Sequence, residues 1–460
     1  MKNRRLLFLS LFLSAFAPTI LLSQNLKMKS VRIWESEKAN FGGFVDLEVV
    51  QGKIISLKEG TPIVQPKYLL PGFCDASVTL GSNARGGKTG REELPTYLSG
   101  YLAAGFSHIE SVADPNVSNL QNEIIKSKWF APILTQSQKP ALYSELPAGE
   151  GSVYTSGLGQ AIDPKRNRHL PIFLKEVENR GFSQTELYAK RREAEEKGYL
   201  PIAYTFSDKT SWEDALDTSF PVIFHPMPEG TNLYRAQKRD FRWAPMLSIL
   251  YLQNLKQKPD DWKKEIQVWS ELHSVFGSRW KDSLSTESEG EGEEENLTSN
   301  SFSEYQSTFQ TEAEARKNLL FASGAGHWGL FPGQAAIVEV RLWESLLAKP
   351  KERKVDLPSG KPGFWTSLFG SFSPSLLSTN ADPETLPQIR REIIQTLTLR
   401  TCTFIGADHE GRIRVGGTAH FSIHNENPLK RASGIFPIES MVLGGKLVYT
   451  PKPTKEGTAK

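Results

Sequence analysis

Between residues 69 and 404 the chain alternates short apolar runs with amphipathic helical stretches, and this alternation limits the possible folds more than any other feature. Residues 68–75 begin it as a strand. Residues 93–104 follow as an amphipathic helix stopped at Gly105, and 106–112 as the next strand. Residues 170–175, 200–204 and 221–225 are further strands. Between them lie a helix started by Ser183, with Glu186 at the capping-box position and Gly198 at its end, and a shorter helix over 212–217. Repeated β-α units of this kind specify a parallel sheet, open or closed into a barrel.

The two ends of the chain have a different texture. Residues 30–34, 44–50 and 52–57 alternate apolar and polar residues around a turn at Gln51-Gly52. Residues 411–416, 419–424 and 440–449 do the same, the last pair turning at Gly444-Gly445. Two strand-rich ends around a β-α middle are expected to join into one small domain, formed by 28–68 and 405–450. Two segments interrupt the middle: an acidic insertion at 285–300, with six Glu between 287 and 295, and a Pro-, Ser- and Gly-rich loop at 357–383. The insertion lacks the Asp/Asn spacing of a calcium loop and reads as solvated chain. The tail 451–460 is expected to be disordered.

The first residues read as an address. Lys2, Arg4 and Arg5 precede an uncharged apolar run, Leu6 to Leu22, which is shorter than the roughly 20 residues of a bilayer span. Pro18 also breaks its helical continuity. A signal peptide over 1–23 is expected, placing the protein in the periplasm or outside the cell, with no membrane association beyond this segment. An uncleaved anchor is the alternative. The net charge of +3 over 460 residues gives no basic face for nucleic acid. Cys74 and Cys402 each read as a small buried hydrophobe; pairing in an oxidising compartment is the other reading.

Leu70-Pro-Gly-Phe-Cys-Asp-Ala-Ser-Val-Thr-Leu80 resembles the first barrel strand of the amidohydrolase superfamily, which runs Pro-Gly-x-x-Asp-x-His-x-His. Lys175, followed by the Ser-capped helix, then Tyr204 and His225 twenty-one residues later, resembles the family's ligand spacing. Residues 319–326 resemble the strand carrying its Gly-Thr-Asp-Ala-Gly, and 411–449 resemble the closing sheet. In order and spacing the set is most similar to the imidazolonepropionase and prolidase-like branch. The resemblance implies an α/β fold: a TIM-like (β/α)8 barrel over 69–404 with a small composite β-sandwich built from both chain ends. It also implies metal-assisted hydrolysis, in which zinc lowers the pKa of its water and an aspartate handles the proton.

This chain departs from that pattern. Ser77 and Thr79 stand where the first two histidines belong, Tyr204 replaces the third, and Gly324 replaces the aspartate; only Lys175 and His225 match. A catalytic zinc takes about three protein ligands from imidazole, thiolate or carboxylate. No metal or other cofactor is therefore expected, although the family would use zinc. The vestigial site would comprise Ser77, Thr79, Lys175, Tyr204, His225 and Gly324, with Lys175, His225, Ser323 and His327 placed to hold a small polar or anionic molecule. The rival expectation is a hydrolase of C–N bonds rebuilt around His225, Lys175 and His327. Lys175 is also read as a possible partner for Asp75. Residues 324–329 satisfy Gly-x-Gly-x-x-Gly, but Pro332-Gly333 postpones the helix that a dinucleotide site requires. His420 and His424 alternate on one strand and are expected on a partly exposed face.

Overall fold

The computed structural model describes residues 25–82, 89–112, 114, 117–137, 168–174, 182–228, 230–231, 240–256, 309, 318–326, 330–347 and 384–450. The segment 1–23, the insertion 285–300, the loop 357–383, the tail 451–460, Lys175 and His327 lie outside them.

Four strands open the chain: β1 (Leu26–Glu35), β2 (Asn40–Val50), β3 (Lys53–Glu59) and β4 (Tyr68–Pro71). Three close it: β12 (Phe421–His424), β13 (Ser440–Leu443) and β14 (Lys446–Tyr449). All seven belong to one sheet, in the order β14-β13-β12-β4-β1-β2-β3. Strand β4 joins the two ends of the chain, pairing parallel with β1 and antiparallel with β12. At Ser30 the β1–β2 register slips, and the freed Ser30 amide donates to Asp46 Oδ1 at 2.8 Å. Where a two-layer sandwich is expected from the sequence, this is one hydrogen-bonded sheet. It curls back on itself so that Ile54 N donates to Gly417 O and Gly416 N to Ile54 O. Val31, Ile33, Leu47, Val49, Ile54, Leu69, Phe421 and Val442 fill the resulting core. Residues 411–416 form turns and irregular backbone rather than the expected strand, with Gly416 N donating to Ile54 O of the curled edge.

The middle is α/β. Strands β5 (Phe73–Val78), β6 (Phe106–Ser111) and β7 (Ile133–Gln136) form a parallel sheet, with α1 (Leu94–Ala103) and α2 (Val117–Ser127) in the connections. A second parallel sheet contains β8 (His169–Phe173), β9 (Leu200–Tyr204), β10 (Val222–Phe224) and β11 (Arg242–Ala244). Helices α3 (Gln184–Glu196) and α4 (Lys209–Asp217) alternate with its strands. Ser183 and Glu186 form the capping box read from the sequence, an arrangement contributing about 1 kcal/mol. The extended segment 319–325 links the two sheets: Leu319 pairs parallel with Trp243 and Ala325 parallel with Val78.

Helices α5 (Leu247–Lys256) and α6 (Gln334–Leu347) flank that segment. Helix α7 (Leu386–Gln395) continues through a π-helical stretch, Thr396–Arg400, into α8 (Thr401–Phe404). Phe404 sits at the amino ends of the second sheet. Its ring stacks on His169 at 4.3 Å and lies 5.8 Å from the Arg242 guanidinium carbon. Two residues earlier, Cys402 forms a disulfide with Cys74 on β5, with the Cα atoms 5.2 Å apart. This corrects the reading of two unpaired buried cysteines. The sulfurs are buried as that reading requires, but the fold brings together residues 328 apart in sequence.

The expected exposure of His420 and His424 is also corrected, since they are 5% and 0% exposed. His424 Nε2 hydrogen-bonds Ser422 Oγ at 3.0 Å, and the Gly444 amide donates to His420 Nδ1 at 3.0 Å. Burial lowers both histidines below the ordinary imidazole range, His420 to about 4. Both stay neutral, which is the form that burial tolerates.

Candidate functional site

Ser77, Tyr204 and His225 come together. Ser77 is on β5, Tyr204 ends β9 and His225 follows β10. The Ser77 and Tyr204 hydroxyls lie 3.1 Å apart, hydrogen-bonded, and each residue is 3% exposed. The Tyr204 ring meets His225 edge-on at 5.4 Å between centroids. Burial raises the Tyr204 phenol well above its usual range. Ser77 partly offsets this by hydrogen bonding, and the nearby Glu110 and Asp75 carboxyls push it further up. Tyr204 is therefore a neutral hydroxyl, able to donate or accept a hydrogen bond.

His225 is held in an uncommon backbone conformation, φ 91°. Three contacts maintain it: its amide donates to Ala244 O at 3.0 Å, Trp243 Nε1 donates to its carbonyl at 2.9 Å, and Trp212 Nε1 donates to the next carbonyl, Pro226 O, at 2.9 Å. A non-glycine at positive φ costs of order 1–3 kcal/mol and persists only where the surroundings over-determine it. The Phe206 amide donates to His225 Nδ1 at 3.2 Å. With Nδ1 accepting, the ring hydrogen is on Nε2. Phe206 and Ser207 also have positive φ, 49° and 60°. The rings of Phe173, Tyr204, Phe206, Phe224 and His225 pack at 4.9–5.4 Å between centroids. The carboxyl ends of β8, β9 and β10 thus present an aromatic cluster that the sequence reading did not single out.

The remaining candidates are placed differently. Thr79 is half-buried; its hydroxyl donates to Val112 O at 3.1 Å, and its amide to Ala325 O at 2.7 Å. Ser323 does not join the Ser77–Tyr204 pair, because its hydroxyl donates to Asp75 Oδ2 at 2.5 Å. Asp75, read as a partner for Lys175, is bonded instead by Ser323 Oγ and by the Ser323 and Ser77 amides at 3.0 and 3.2 Å. Gly324 has φ 64°, and a Cβ placed there would stand 2.7 Å from Met246 Cε and 2.8 Å from Ile249 Cδ1. The space that a longer side chain would need is filled from α5 and the turn before it.

Between the parallel sheets lies a buried pair that sequence reading missed. Glu110 on β6 and His169 on β8 are 3% and 4% exposed, with His169 Nδ1 2.7 Å from Glu110 Oε2. The signal available was a lone carboxylate inside the strand Phe-Ser-His-Ile-Glu-Ser, since a buried charge requires a partner.

No family profile matches the chain, and no curated protein matches it. Solved structures do. A Xaa-Pro dipeptidase with bound methionine in its active site superposes with a TM-score of 0.59 at 14% identity, covering 93% of this chain and 100% of that one. Molinate hydrolase gives 0.54 at 10%, covering 93% and 95%. An amidohydrolase gives 0.51 at 13%, covering 94% and 100%. At these identities the likeness is one of fold, and it extends over nearly the whole of both chains. The protein has the mixed α/β fold of the prolidase and amidohydrolase structures.

Proposed function

We propose that this is an exported protein of amidohydrolase type that has given up metal-assisted hydrolysis. In this reading it holds a small polar or anionic molecule, or a partner, at the carboxyl ends of its parallel strands. The observation that carries the reading is the Ser77–Tyr204 hydrogen bond, in which two neutral hydroxyls at positions matching family ligands bond each other. The other donors agree. Thr79 gives its hydroxyl hydrogen to a backbone carbonyl. His225 offers a donor at Nε2, not a lone pair, because Nδ1 is the acceptor. Gly324 carries no side chain, and its φ of 64° disfavours an aspartate there. Zinc takes imidazole, thiolate and carboxylate ligands, and this set does not fit it.

Two finer points belong to the proposal. The two parallel sheets and segment 319–325 are read as one (β/α)8 barrel closed between β7 and β8. The Glu110–His169 contact, which joins β6 to β8 across that seam, supports closure. Export is supported by the Cys74–Cys402 disulfide, since such bonds persist in oxidising compartments, and by the positively led apolar segment at the start of the chain.

The test supplies purified protein with zinc or manganese and a panel of Xaa-Pro dipeptides and N-acyl amino acids. No turnover above the buffer blank is expected, while the same compounds screened by thermal shift should include saturable binders. Metal-dependent turnover that disappears in Tyr204→Phe would overturn the proposal.

A further inference from the structure

The strand ends around His225 carry a concentration of left-handed backbone. Among the described residues, nine other than glycine have positive φ, and four of them, Phe206, Ser207, His225 and Met246, follow β9, β10 and β11 at their carboxyl ends. Phe206 and Ser207 are consecutive, at 49° and 60°. The Asp208 amide donates to Thr205 O at 3.0 Å and closes a four-residue turn around them. Positive φ at both central positions is the type I′ pattern, which Gly, Asn and Asp usually fill because a larger side chain crowds the backbone there. Phenylalanine and serine fill it here.

The turn is anchored at both ends. Thr205 Oγ1 donates to Phe224 O at 3.1 Å, and the Asp208 carboxylate caps α4 by accepting from the Ser211 amide and hydroxyl at 2.8 and 2.9 Å. Between these posts the Phe206 amide donates to His225 Nδ1 at 3.2 Å, at the long end for such a bond. The Phe206 ring lies against the His225 ring, 4.9 Å between centroids and tilted by 31°, and meets Phe173 edge-on at 5.2 Å. Phe206 is half-buried while His225 is 3% exposed, so the phenyl ring is part of what shields the imidazole from solvent.

We propose that residues 205–208 form a sprung cover over His225, which opens locally while β9 and β10 stay folded and so admits small molecules from the carboxyl ends of the strands to the imidazole. Closed, the cover occupies both a face of the ring and its Nδ1 lone pair. Open, Phe206 and Ser207 return to ordinary negative φ, and the strain released offsets part of the contacts given up. Left-handed backbone in such residues persists only where the surroundings over-determine it, and what it achieves here is the placement of Phe206 on His225. The cover goes beyond the reading above and stands whether the site only binds a small molecule or also turns it over.

Carbethoxylation of the full-length protein by diethyl pyrocarbonate at a single neutral pH tests this, with each histidine followed by peptide mass spectrometry. The reagent needs an imidazole lone pair, and the one that His225 has at Nδ1 is covered until the Phe206 amide leaves. His225 should react roughly tenfold faster, or more, than His424, which is fully buried in the terminal sheet and reports global unfolding. In Ser207→Gly the reaction at His225 should slow about threefold or more, because glycine adopts a φ of 60° without strain and favours the closed turn. In Phe206→Ala it should quicken about tenfold, as the ring is gone from the imidazole face; Ser207→Gly serves if that variant does not fold. A His225 rate equal to that of His424, one unchanged or raised in Ser207→Gly, or one that Phe206→Ala leaves unchanged would overturn the cover.

Discussion

Removing the Cys74–Cys402 disulfide is the perturbation whose size follows most directly from the fold. The bond closes a loop of 328 residues and ties β5 to α8, the helix whose Phe404 covers the amino ends of the second parallel sheet. In the chain-entropy description, a loop of that length withholds about 19 cal/mol/K from the unfolded state, or about 6 kcal/mol at 25 °C, just above the roughly 0–5 kcal/mol that disulfides contribute. Unfolding entropy of about 2.1 cal/mol/K per residue over the roughly 270 described residues gives about 0.6 kcal/mol per degree near the midpoint. The melting temperature should therefore drop by about 10 °C. The assay compares oxidised wild type, wild type reduced with dithiothreitol, and Cys74→Ala/Cys402→Ala, with thiols counted in denaturant. Reduction preserves both side chains and isolates the loop term, while the double alanine adds a small packing loss. Two free thiols in the untreated protein, or a change within 1 °C on reduction, would refute the reasoning.

Gly324→Asp should cost about 2–3 kcal/mol, read as a lower melting temperature, because its Cβ meets Met246 and Ile249 at a left-handed φ; a variant of unchanged stability would show that this space is open. Tyr204→Phe and Ser77→Ala should each destabilise by about 1 kcal/mol in urea titrations, and the double variant should show a coupling of similar size; strict additivity would mean the hydroxyls do not interact. His108, buried beside His420, is lowered by burial to about 3 and His420 to about 4. Both groups are depressed in the fold, so their share of stability is complete above the free imidazole range and is lost as pH falls from about 6.5 through 4. Replacing both by Gln should flatten the acid limb of a melting-temperature profile between those values, and an unaltered limb would count against it.

Much of the fold was legible because it follows local rules. The β-α alternation, the Ser183 capping box and the strand-rich ends are all matters of neighbouring residues, and the described elements follow them. What local rules do not supply is contact across the chain. Asp75 looks in sequence like a partner for a cation, yet a serine 248 residues away takes it. Glu110 and His169 are separated by 59 residues and meet only because two parallel sheets face each other. Cys74 and Cys402 are the extreme case. At the candidate site, reading Ser77 and Tyr204 as ligand replacements named the residues, but not that their hydroxyls would bond each other. Phe173 passed as an ordinary strand residue and Phe206, two residues beyond the strand 200–204, was not singled out, because a ring near the end of a strand carries no mark of the cluster that it joins.

The central claim is that the residues matching family ligands make a hydrogen-bonded polar cluster in place of a metal centre. Elemental analysis of protein purified without chelator, and again after dialysis against zinc and manganese, tests it most directly. The account predicts well under one equivalent of either metal per chain and a melting temperature that chelator does not change. One equivalent per chain, removed by chelator with a drop in melting temperature and lost in His225→Ala, would contradict it.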